Sequence, residues 1–214
     1  MKKYLSVILS IFFIVAHSII YGQRVIGDCT ITYQISAEQN TIDSNSLKSA
    51  YKKFYVSGGK SLTEISFNGF EQKTYYNENT DDIYILYKMN KDNYMRKVSK
   101  NEWEQQFIKY KDAKIEILND TKDILGYVCK KGKSTLKDGT VINFYYTTEL
   151  KTIVSEIPYE FSAINGLVLQ YEAIIQNNYR IAYTASDINF NPVPTEKFVL
   201  PKSGYRLLNN NDKF

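Results

Sequence analysis

Asp120–Leu150, DTKDILGYVCKKGKSTLKDGTVINFYYTTEL, reads as a β-hairpin. Its first arm carries Tyr127 and Cys129, its turn is Lys137-Asp138-Gly139-Thr140, and its return arm is the β-branched and aromatic run Val141–Thr147. Asp-Gly between two such arms is a strong hairpin signal, because a tight hairpin loop needs backbone at positive φ. Leu125, Tyr127 and Cys129 fall on one face of the first arm, since side chains alternate along a strand. Lys130-Lys131-Gly132-Lys133 reads as a solvated part of that arm.

The same pattern spreads outward. Toward the N-terminus, Val25, Cys29, Ile31, Tyr33 and Ile35 alternate with Asp28, Thr30, Thr32, Gln34 and Ser36, the mark of a half-buried antiparallel strand. Glu38–Lys48 is polar, a loop or one helical turn. Tyr51–Ser57 meets a Gly58-Gly59 turn, Ser61–Asn68 runs back and Glu71–Tyr76 continues the meander. Ile83–Met89 and Tyr94–Val98 form the next pair. Asn77–Asp82 is acidic, but its spacing misses the EF-hand pattern and it reads as a turn. Ser99 and Glu102 have the spacing of a capping box, starting a short amphipathic helix to about Tyr110 with Trp103 as a lid on the sheet. Lys114–Leu118 resumes the β pattern.

Toward the C-terminus, Pro158 argues against a central strand within Leu150–Phe161. Leu167, Leu169, Tyr171, Ala173 and Ile175 then alternate, Asn177-Asn178 turns the chain, and Tyr179, Ile181, Tyr183 and Ala185 run back. Asn191–Tyr205 is an extended strap containing Pro192, Pro194 and Pro201. Sequential hairpins with one short helix predict a mainly β protein: a single curved antiparallel sheet or half-barrel. Strand parity leaves closure open. Neither a composition shift nor a repeat divides the chain, so residues 23–214 are expected to form one domain.

Residues 1–22 read as a signal peptide. Lys2-Lys3 precede the apolar run Tyr4–Ile20, and Gly22 closes it, with cleavage after Gly22 or Gln23. Asp28 immediately before Cys29 speaks against a lipid anchor. The expected location is the periplasm or the medium, with membrane contact only through the leader. Its removal takes Lys2 and Lys3 from 27 basic residues, leaving 25 against 23 acidic ones, a balance of +2. That balance gives no support for nucleic-acid binding. Removal also takes His17, the only histidine, and with it the commonest general base and metal ligand. No cofactor or metal is expected.

Cys29 and Cys129 are the only cysteines, both on apolar strand faces in a chain bound for an oxidising compartment. A disulfide between them is the expected structural tie. Catalytic patterns are sparse. Ser134-Thr-Leu-Lys137 matches SxxK, but on a hairpin arm its serine and lysine face opposite ways. Glu149, Glu156, Glu160 and Glu172 lie in one region and leave a carboxylate-dependent hydrolase as a second alternative. Asn119-Asp120-Thr121 matches a glycosylation sequon.

Asp120–Lys131, the Asp138-Gly139 turn and Tyr145-Tyr146-Thr147 resemble GLPGLI-family proteins. Ala163-Ile164-Asn165-Gly166-Leu167-Val168 falls where that family has its name-giving motif, keeping Gly166 and Leu167. The resemblance implies an exported Gram-negative envelope protein and transfers no catalytic residue. Gly126-Tyr127-Val128-Cys129-Lys130 and the terminal Pro201–Tyr205 are also similar to lipoprotein-carrier-like half-barrels, which bind acyl chains on a concave face. On that basis the chain is expected to be a non-enzymatic binding or carrier protein for a lipid or lipoprotein chain. Its candidate surface is Ile31, Tyr33, Tyr127, Tyr171, Ile181 and Tyr183. The alternative is an envelope protein-interaction module with a filled core, and an apolar cavity would separate the two.

Overall fold

A computed structural model describes residues 22–37, 47–154, 159–161, 163–174, 179–209 and 212. The leader, most of the polar Glu38–Lys48 stretch and the Asn177-Asn178 turn lie outside the described residues. After β1 (Arg24–Ile26), the meander predicted from Gly-rich turns is present as β2 (Asp28–Ala37), β3 (Tyr51–Ser57), β4 (Lys60–Phe67), β5 (Phe70–Asn77), β6 (Asp82–Met89) and β7 (Asp92–Val98). Next come helix α1 (Lys100–Gln106), a single turn α2 (Ile108–Lys111), and strands β8 (Lys114–Ile124), β9 (Tyr127–Thr135), β10 (Val141–Thr147) and β11 (Leu150–Thr152). A 3-10 turn (Tyr159–Phe161) precedes β12 (Leu167–Ile174) and β13 (Arg180–Asn189), and another (Thr195–Phe198) precedes β14 (Arg206–Leu207).

Twelve strands form one sheet in the order β14-β7-β6-β5-β4-β3-β2-β13-β12-β10-β9-β8. Neighbours are antiparallel except β14 on β7, and β1 pairs separately, in parallel, with β11. The sheet ends at β8 and β14 and is open. This is the mainly β, curved antiparallel sheet with few helices that the alternation predicted. Register slips in β8, β10 and β13 supply part of the curvature, because a bulge bends its strand and increases its twist.

Three local details differ from the sequence reading. Val25 is not inward with Cys29: Gly27 breaks the alternation, and Val25 is 61% exposed on β1. Strand β8 continues to Ile124, and Leu125-Gly126 is its hairpin loop rather than part of an arm, with both residues at positive φ (56° and 81°). Asp123 Oδ1 accepts from the Gly126 amide at 3.1 Å and closes this loop. A leucine seldom adopts that conformation, which hides the turn. The helix matches expectation: Ser99 Oγ accepts from the Glu102 amide and Glu102 Oε2 from the Ser99 amide, the reciprocal capping box. Trp103 is buried against Ile83, Ile85 and Val98.

The expected disulfide is absent. Cys29 and Cys129 are both fully buried free thiols. The C-terminal strands explain this: β13, β12 and β10 lie between β2 and β9, so the cysteines are about 19 Å apart along the sheet at ~4.8 Å per strand. Burial pushes both thiols up to about 11, with Asp28 adding to it at Cys29 and Asp123 at Cys129. Both should therefore resist iodoacetamide in the native state at pH 8, and both should be carbamidomethylated after denaturation without reductant. Intact mass reads the two modifications.

The strap residues cover the convex face. Val193 and Phe198 pack on Tyr55, Leu62 and Tyr75, whose side chains point away from the concave core. Under this cover Glu64, 8% exposed, accepts from Tyr55 Oη at 2.9 Å and pairs with Lys73 at 3.0 Å and Lys197 at 3.7 Å. Burial alone would raise the Glu64 carboxyl, but the hydrogen bonds from Lys73 and Tyr55 and the two lysine charges outweigh it, and the net shift is downward from 4.5. A depressed carboxyl stabilises the fold above its ordinary value and loses that contribution as pH falls through the depressed one. Glu64→Gln should lower Tm at pH 7 and cost progressively less below about pH 4.5, as thermal denaturation of both proteins at pH 7 and pH 3 would show.

Candidate binding site

The concave face is built by curl. Lys52 on β3 and Tyr171 on β12 have β2 and β13 between them, roughly 14 Å on a flat sheet at ~4.8 Å per strand. Yet the Lys52 ammonium donates directly to the Tyr171 hydroxyl. The two halves of the sheet therefore face each other across a cavity of about 320 Å³, at the small end of ligand pockets.

Register decides what faces in. Tyr33 opposes Lys52, Lys52 opposes Ile65, and Ile65 opposes Gln72, so one row crosses β2 to β5. The next row contains Phe54, Thr63 and Thr74. From the other half come Tyr171 and Tyr183, directly paired with ring centroids 4.8 Å apart and stacked. Tyr33 meets Tyr171 edge-on at 6.1 Å, and Phe161 does so at 5.2 Å from the 3-10 turn. Lys52 Nζ lies 5.3, 4.9 and 5.2 Å from the Tyr33, Tyr171 and Tyr183 ring centroids, within cation–π range of all three. Tyr33 Oη is turned to the Val168 carbonyl at 2.9 Å.

Trp103 and Phe107 close one side from α1 and the bend after it. The Trp103 indole N–H is buried without a hydrogen-bond partner, which is costly for a donor that meets no water. Gly166 and the segment from Ile164 to Val168 form part of the opposite rim. Glu160 is the only carboxylate among the described lining residues, and it accepts from Tyr110. Burial first, then the Glu160 charge and hydrogen bond, hold the Tyr110 phenol well above its usual range.

Of the six residues singled out from sequence, Tyr33, Tyr171 and Tyr183 line this cavity. Ile31 and Ile181 are buried core, and Tyr127 packs partly buried against the same core. Of the three described glutamates among the four, only Glu160 lines the cavity. Glu172 is held by Arg180 at 3.0 Å and by the Asn143 side chain at 2.7 Å, Glu149 follows β10, and Glu156 lies outside the described residues. Sequence reading missed Lys52, which looks like a surface lysine in YKKFYVS, and Gln72, Thr63 and Thr74. Only the pairing register places them inside.

Fold and cavity together define an open β-sheet domain with an aromatic, hydrogen-bonding hollow. A family model described as "N-glycanase peptide, N-terminal domain" matches residues 31–204, and the chain belongs to that family. No curated protein matches it by sequence. Two crystal structures of PNGF-II, in C2 and P21 space groups, resemble it with TM-scores of 0.49 and 0.48 at 16% and 14% identity. The match covers 84% and 85% of this chain but 30% and 32% of theirs, so the chain spans about a third of their length.

The family match overturns two expectations. The chain is not placed in the GLPGLI family, although the Cys129 segment and Gly166-Leu167 resemble it. The lipid or lipoprotein carrier role falls with that assignment. The cavity lining is mixed rather than uniformly apolar, with Lys52, Thr63, Gln72 and Thr74 among its aromatic and aliphatic residues. The interaction module with a filled core fits no better, given the cavity.

Proposed function

We propose that this chain is a non-catalytic, glycan-engaging domain of the N-glycanase type, whose concave cavity receives a sugar residue of a glycoprotein. The observation carrying this reading is the combination of N-glycanase family membership with a cavity that alternates aromatic faces and hydrogen-bonding groups. A sugar ring has an apolar C–H face and a rim of hydroxyls. Tyr33, Tyr171, Tyr183 and Phe161 offer ring surface, and aromatic faces are apolar bodies with a negative quadrupole that attracts polarised C–H groups. Lys52, Gln72 and Thr63 supply hydrogen-bonding atoms around it.

The non-catalytic assignment rests on the acid–base inventory. Hydrolysis run on two carboxylates needs the pair roughly 5–10 Å apart. Glu160 stands alone among the described lining residues. The test uses an N-glycosylated peptide and the same peptide without its glycan. Native mass spectrometry should show an adduct with the glycosylated form only, and prolonged incubation should release no glycan. Equal adducts with both peptides would refute the binding role; glycan release would refute the non-catalytic one.

A further inference from the structure

We infer that the bound glycan runs on beyond the cavity as a chain, its next sugars lying over a second aromatic subsite formed by Phe70, Tyr87 and Tyr94. The inference rests on the glycan-binding reading and adds the substrate class to it, an oligosaccharide rather than a lone sugar. The cavity of about 320 Å³ equals roughly ten waters at their ~30 Å³ share of liquid volume, room for one sugar residue and little more. Any further residue of a glycan has to lie outside it.

Register shows where. Residues opposite one another in a ladder share a face of the sheet. The cavity row Tyr33-Lys52-Ile65-Gln72 does not stop at β5: Gln72 opposes Tyr87 on β6, and Tyr87 opposes Tyr94 on β7. Tyr94 is two strand spacings past Gln72, about 10 Å, and each ~4.8 Å step is close to the repeat of linked pyranose rings. Phe70, two residues before Gln72 on β5, lies on the same face, its ring centroid 6.3 Å from that of Tyr87. Helix α1 covers the neighbouring apolar cluster, where Trp103 packs on Ile83, Ile85 and Val98, and Tyr87 packs against the edge of that cluster. Phe70, Tyr87 and Tyr94 are each only partly buried, so each keeps some of its surface open. Arg96 stands opposite Ile85 in the adjoining row, tied to Glu102 at 3.5 Å. It is near enough for its charge to offset part of the rise that burial imposes on the Tyr87 phenol. Ring surface beside a guanidinium repeats outside the cavity the pairing of apolar face and hydrogen-bond donor that suits a sugar.

Isothermal titration of the full chain with an N-glycosylated peptide, and with the same peptide trimmed to one sugar, tests the point. The intact glycan should bind at least about tenfold tighter, the affinity that one good aromatic contact supplies. Tyr87→Leu and Tyr94→Leu should each weaken the intact glycopeptide several-fold and leave the affinity for the one-sugar peptide as it was. If Tyr87→Leu fails to fold, Tyr94→Leu, on a strand near the sheet edge, carries the comparison. Equal affinity for the two peptides would overturn this inference and leave glycan binding intact. So would a preference for the intact glycan that the folded variants retain in full, since its outer sugars would then rest elsewhere. Binding of neither peptide would overturn both readings.

Discussion

Phe144→Ala should destabilise the protein by about 3–5 kcal/mol, the usual cost of deleting a buried phenyl ring, and lower Tm on the order of 10 °C. Phe144 is fully buried on β10, with Phe161 at 5.1 Å and Tyr146 at 6.0 Å between ring centroids. It lies over its cross-strand partner Gly132 on β9. A Cβ at Gly132 would come within 2.6 Å of Phe144 Cε2 and 2.9 Å of Cε1, with Cζ closer still. The missing side chain of Gly132 is the space the ring occupies. Gly132→Ala should therefore be destabilising by about 1–3 kcal/mol, as overpacking is. Its cost should shrink markedly in a Phe144→Leu background, because the two residues share one space and their effects cannot add. Chemical denaturation of the four proteins of that cycle measures the coupling. Additive effects would show that the ring does not depend on Gly132. Because Phe161 also lines the cavity, the binding site should loosen along with the core.

Gly166→Ala should cost a further about 1–3 kcal/mol, at the upper end of the overpacking range. Here the obstacle is main chain. A Cβ would sit 3.2 Å from the Thr147 carbonyl carbon, nearer to its oxygen, and 2.9 Å from Tyr146 Cδ2. Thr147 is fully buried at the end of β10 and cannot withdraw as a flexible side chain could. Gly166 also belongs to the cavity rim. The substitution should thus lower both Tm and affinity for a glycosylated peptide. A variant with unchanged Tm would show that the β10–β12 approach is looser than described.

Local patterns carried most of the fold. Alternation from Cys29 to Ile35, the Gly58-Gly59 and Asp138-Gly139 turns and the Ser99–Glu102 box each correspond to an observed element, because each is decided by a few neighbouring residues. The long-range arrangement was not legible. Inserting β13 and β12 between β2 and β10 separates two cysteines that strand faces alone would have joined. The same insertion brings Tyr171 and Tyr183 to Lys52, turning a plain-looking lysine into the centre of a cavity. Gly132, within an apparently solvated basic arm, serves a ring on the next strand. In the site itself, alternating tyrosines could be picked out from sequence, but which of them shared a space with polar groups depended on curl and register.

Trp103, the only tryptophan in the chain, stands in the cavity wall. It reports directly on the central claim that the hollow receives a sugar of a glycoprotein. Titrating the protein with an N-glycosylated peptide should produce a saturable change in tryptophan fluorescence. The unglycosylated peptide should produce none, and Tyr171→Ala should abolish or strongly weaken the response while the protein remains folded by circular dichroism. Identical responses to the two peptides, or binding by calorimetry with Trp103 emission and the Tyr171→Ala variant both unaffected, would contradict it.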